Sequence, residues 1–162
     1  MDELMEGQTD EACELILGRF QVAHALGTIS TGSPHYALSS IRIGQQLIYF
    51  LGKGQRFRDQ GEEMCALAES LHVAGKRQEA SLYYQKARKV GEAHGFFSVE
   101  CRACLGLGRE KLKEGRHGEG LDLMRNALAA LRLSENEGFS TWELPVLDSL
   151  IDALFLRKQS TR

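Results

Sequence analysis

Apolar and small residues recur along this chain at helical intervals, and the stretch from 62 to 132 carries the same pattern twice. Leu67-Ala68, Gly75, Ala80, Tyr84 and Ala87 are matched forty residues later by Leu107-Gly108, Gly115, Gly120, Met124 and Ala127. Each landmark is apolar or small. The intervening turns agree too, Ala74-Gly75-Lys76-Arg77 against Glu114-Gly115-Arg116-His117. A fixed period of this size predicts an array in which one helical hairpin stacks on the next. A third, degenerate copy lies upstream: Gly32 leads Ala37 by five residues, as Gly75 leads Ala80, and Ile41 and Gly44 follow where Tyr84 and Ala87 stand.

The periodicity predicts seven helices. The first, at about 9–29, starts from a Thr9 cap and carries Leu15, Ile16, Phe20, Val22, Ala23 and Leu26 as an apolar stripe. Ser33-Pro34 opens a second at about 34–51. Helices at about 57–74, 77–93, 99–114 and 119–132 make the two clear copies, with His94-Gly95 as a left-handed stop between them. Ser140 and Glu143 form a capping box for a last, unpaired helix at about 141–157. The whole chain reads as one domain of repeats at about 9–52, 57–95 and 97–134 plus that terminal helix.

The Leu-Ala or Leu-Gly pair, the turn glycine and the Ala80, Tyr84, Ala87 spacing resemble the tetratricopeptide repeat (TPR). The chain departs from that family in having Lys111 where tyrosine is common, in lacking the closing proline, and in a period longer than the usual 34. The resemblance implies an all-α solenoid, a right-handed superhelix of stacked antiparallel hairpins. It also implies a concave face that binds a peptide or partner protein without catalysis.

Composition narrows the partners. A net charge of -2 over 162 residues argues against general binding to nucleic acid or anionic membranes. No apolar run reaches the length of a membrane span, and no basic-then-apolar signal segment follows Met1, so a cytoplasmic protein is expected. Cys101-Arg-Ala-Cys104 has the spacing of half a metal site but has no second pair, so two small residues on a packed face are expected and no metal or cofactor. The five histidines show no metal spacing, and no carboxylate pair stands in an acid–base arrangement. No catalytic residue is assigned.

One patterned charge set remains. Arg102, Arg109 and Lys113 fall on one helix face, with Gly106 among them leaving the backbone open. The family resemblance turns this face, and that of His72, toward the groove, where cations suit an acidic segment. The forty-residue shift places Glu62 beside Arg102 and Glu69 beside Arg109, so a ladder of ion pairs between repeats is the competing expectation, with Lys113 left over. Trp142, equivalent to Arg102 one repeat on, is a candidate to stack on the guanidinium or anchor a guest. Gly108 is expected to be replaceable by alanine, as at Ala68. The terminal helix carries more apolar surface than one hairpin can cover, through Leu147, Leu150, Ile151, Leu154 and Phe155. A homodimer built on that face, making the chain an assembly subunit, is the alternative function.

Overall fold

The computed structural model describes residues 34–134. These residues form five helices and no strand: α1 (Pro34–Lys53), α2 (Phe57–Val73), α3 (Arg77–His94), α4 (Phe97–Lys113) and α5 (His117–Ser134). Each helix packs on the next, and α2 also lies against α4. The expected helices at 9–29 and 141–157 lie outside the described residues.

The last four helices begin at Phe57, Arg77, Phe97 and His117, so the unit is one helix and one turn in twenty residues. The forty-residue repeat is two such units. This even division explains two boundary differences from the sequence expectation. The α4 helix starts before Val99 and α5 before Glu119, because Phe97, Ser98, His117 and Gly118 already belong to the first helical turn.

The turns after α1, α2 and α4 share one hydrogen-bonding scheme, whereas after α3 both Gly95 and Phe96 donate to Gly91 C=O. At the end of α2, Lys76 N–H donates to Leu71 C=O (2.9 Å) and Gly75 N–H to His72 C=O (3.0 Å). Arg116 and Gly115 do the same for Lys111 and Leu112 after α4, at 2.9 and 3.0 Å. Both glycines are left-handed, at φ 80° and 78°. This is the Schellman closure, which satisfies carbonyls that a helix end leaves orphaned. The α1 helix closes identically, Arg56 to Leu51 and Gln55 to Gly52, but with Gln55 in the left-handed position at φ 56°.

The starts of α2, α3 and α4 use no serine or aspartate cap. Arg56 and Lys76 immediately precede their helices without a side-chain capping bond. Instead the basic side chain reaches the acidic residue three positions on: Arg56 to Asp59 (2.8 Å), Lys76 to Glu79 (3.7 Å) and Arg116 to Glu119 (2.7 Å). The carboxylates also sit in the first turn, where the helix dipole favours them. Before α4 the position is Phe96, and aromatic packing replaces the ion pair. His94 stacks between Phe57 (4.5 Å, 12°) and Phe96 (5.6 Å, 18°), and the Arg58 guanidinium lies 4.9 Å from the Phe96 ring centre. The aromatic after Gly95 thus packs between repeats, as its sequence position implies.

The core is a string of small clusters. Ile41, Leu67, Leu71 and Ala80 join α1, α2 and α3. Met64, Cys65, Ala68, Tyr84, Ala87, Val99, Ala103 and Leu107 join α2, α3 and α4. Cys101, Cys104, Leu105, Met124, Ala127, Ala130 and Leu131 join α4 and α5. Small residues set the spacing. The Tyr84 ring lies directly on Gly106, so the glycine backbone is covered rather than open. Nor is Gly108 an indifferent choice: a Cβ there would stand 2.7 Å from Met124 Cε and 3.2 Å from Gly120 C=O. The α4–α5 hairpin thus leaves no room for a side chain at Gly108, where its counterpart holds Ala68.

Two substitutions test this account by thermal or urea unfolding. Gly106→Ala drives a methyl into the Tyr84 ring and is expected to cost about 1–3 kcal/mol. Gln55→Gly relieves a left-handed non-glycine residue and is expected to stabilise by about 1 kcal/mol.

Candidate functional site

The charged face arises where α2 and α4 lie side by side. Arg102 extends from the first half of α4, and its guanidinium forks onto Glu69, with Nε and Nη2 each donating at 2.9 Å. Glu69 is the carboxylate that the forty-residue shift assigns to Arg109. In that register Arg102 is level with Glu62, seven residues short of Glu69, or about 10.5 Å of helical rise. The two helices are offset from that register, since the short Cys65 side chain comes within 4.0 Å of Val99 C=O, and the offset brings Glu69 to Arg102. Burial opposes the charge on Arg102, but the Glu69 hydrogen bond and charge outweigh it and push its pKa up.

At the far end of the same face, His72 of α2 stands between two residues of α4. Its Nδ1 is 2.8 Å from Glu110 Oε1, and its Nε2 is 2.8 Å from Lys113 Nζ. Lys113 Nζ is itself 4.0 Å from Glu110 Oε1. The Glu110 side chain is only 5% exposed, while that of Lys113 is 47% exposed. Arg109 and Glu62 are solvent-exposed. So Arg102, His72 and Lys113 are engaged within the seam, and Lys113 is not the leftover cation of the expected ladder. Trp142 and the expected interface residues Leu147, Leu150, Ile151, Leu154 and Phe155 lie outside the described residues.

Two carboxylates on this face escaped the sequence reading. Glu110 is one; its equivalent one repeat earlier is Ser70, also buried. Two polar residues at one buried register were the available signal. Glu63 is the other. Burial drives its pKa up to about 7; Arg102 pulls it down, while Glu62 and Asp59 push it further up. Its Oε2 is sealed from water without a hydrogen-bond partner.

The cysteines do not contribute chemistry to this face. Cys101 and Cys104 are fully buried in the α4–α5 core. Burial raises their thiols to about 12 and about 11, which keeps them protonated. No group of three or more metal-ligating side chains occurs among the described residues, and none of the described helices is long and apolar enough to cross a membrane.

Comparison with models of known protein families gives no match, and comparison with curated proteins gives none. What the arrangement offers therefore rests on its own geometry: a solvent-facing seam of mixed charge, held on two packed helices.

Two measurements probe the seam. A double-mutant cycle on Glu69→Ala and Arg102→Ala should give a coupling of about 1 kcal/mol that shrinks in high salt. The raised Glu63 carboxyl binds its proton more tightly in the folded state. Its stabilising effect is thus complete below the ordinary carboxylate range and lost as pH rises through about 7. Wild-type Tm should fall between pH 5 and pH 8, and Glu63→Gln should remove on the order of 5 °C of that fall.

Proposed function

We propose that the chain is a non-enzymatic protein–protein interaction module, a TPR-like solenoid in the cytoplasm whose first helices of successive hairpins line a peptide-binding groove. In this reading α2–α3 and α4–α5 are stacked antiparallel hairpins of a right-handed superhelix. The observation that carries it is the side-by-side packing of α2 and α4, which start forty residues apart, with a charged face turned to solvent. Stacked-hairpin scaffolds characteristically present such extended surfaces.

The groove would receive an extended segment rich in acidic residues. Arg109 and Lys113 are the exposed cations of α4, while the acidic Glu62 marks the other wall. Arg102 is committed to Glu69 and serves to hold the two walls in register. Val73 is 75% exposed at the end of α2, one residue beyond His72, and offers the guest an apolar contact.

An acidic peptide array probed with the purified chain tests this proposal. Arg109→Glu combined with Lys113→Glu should weaken binding at least tenfold, with strong salt dependence, while circular dichroism stays unchanged. Peptide binding that ignores both substitutions would overturn it. Light scattering on the same samples addresses the alternative, self-association through the terminal helix. A stable dimer that captures no peptide would favour that reading.

A further inference from the structure

The three groups His72, Glu110 and Lys113 constrain one another more tightly than a surface ion pair does. A lysine ammonium has hydrogens to donate and no lone pair to offer. At 2.8 Å from Lys113 Nζ, His72 Nε2 must therefore be the bare, accepting nitrogen. The opposite side of the ring gives the same answer independently. His72 Nδ1 is shut off from water and faces only Glu110 Oε1, at 2.8 Å and off the ideal donor axis. A lone pair on Nδ1 would point at a buried carboxylate, so the ring's one proton belongs there. Both contacts select the Nδ1–H tautomer, the reverse of the Nε2–H form that a solvated imidazole prefers.

We propose that His72, Glu110 and Lys113 form a proton-operated latch between α2 and α4, which releases the Lys113 ammonium to the outer face when His72 is protonated. A second proton has only Nε2 to occupy. There it meets the Lys113 ammonium, and an attractive contact becomes a repulsion between two cations at 2.8 Å. Glu110 keeps the imidazolium, since that pair is close and shielded, and its own 4.0 Å contact with Lys113 is too long to hold the ammonium in place. Lys113, already half exposed, leaves toward water. The face then carries one more positive charge and one newly mobile ammonium.

Other charged groups near His72 do not substitute for these partners. On α2, Glu69 is taken by the Arg102 fork. In the following turn Lys76 is paired with Glu79. On α4, Arg109 is the neighbour of Glu110 in sequence and is exposed. Among the described residues, no hydrogen bond or ion pair links His72 to α1 or α3. The latch needs no bound partner and stands apart from the groove-binding proposal.

Nuclear magnetic resonance of the intact chain tests both halves. At pH 8, nitrogen-15 spectra of His72 should show a protonated Nδ1 and a bare Nε2; a predominant Nε2–H form would overturn the proposal. On acidification, the Lys113 side-chain signals should shift in step with His72 protonation. In His72→Gln the same signals should stay still over that pH range. Lys113 signals that do not follow His72 in the wild type, or that move equally in the variant, would refute the latch.

Discussion

The left-handed residue that closes each of α1 to α4 is the constraint on which the rest of this architecture depends. It reverses the chain within two or three residues and satisfies the last carbonyls through main-chain bonds alone. These closures recur on a twenty-residue beat. Across the α4–α5 hairpin Gly108 and Gly120 face each other, so that a Cβ on Gly108 would stand 3.2 Å from Gly120 C=O and one on Gly120 3.1 Å from Gly108 C=O. A helix displaced by one residue would turn these two backbones away from each other by about 100°. The tolerance of Gln55 in one closure shows that the geometry is enforced by the surrounding packing and not by glycine alone.

Given that registry, α2 and α4 come to lie side by side, and their facing residues divide by depth. Nearest the core, Cys65, Ala103 and Leu107 pack together, with the Cys65 thiol 4.0 Å from Val99 C=O. Further out, Glu69 and Arg102 meet in a two-bond fork that ties α2 to α4. At the C-terminal end His72 is inserted between a buried acid and an exposed base. The seam is thus anchored at one end by the Arg102–Glu69 pair and at the other by an imidazole held between an acid and a base.

Much of this was legible in the residues. The landmark spacing gave the described helices to within two or three residues at each boundary, and the glycine positions gave the turns. The paired basic and acidic residues at helix starts were visible as Arg56/Asp59, Lys76/Glu79 and Arg116/Glu119, yet the twenty-residue unit they mark was hidden by the longer repeat. The charge ladder was only half legible. Repeat arithmetic assumes copies stacked level, whereas α4 is displaced along α2, as the Cys65–Val99 contact shows, so Arg102 found Glu69. Glu110 was obscured for a related reason. A carboxylate next to two cations on a polar face reads as solvated, and its burial depends on a histidine contributed by another helix.

The start-of-helix ion pairs and the Arg102–Glu69 fork differ in where their partners come from. Each start pair is complete within four consecutive residues, so a duplicated hairpin would bring its own pair along, already neutralised. The fork draws its halves from two different copies and has no equivalent with both partners inside one. Identical copies could be stacked in any sequence, or exchanged between molecules, without electrostatic penalty. A cross-copy pair removes that freedom, because only one neighbour presents the matching charge. The seam therefore acts as an address: it specifies which hairpin follows which, and makes the wrong neighbour the worse one.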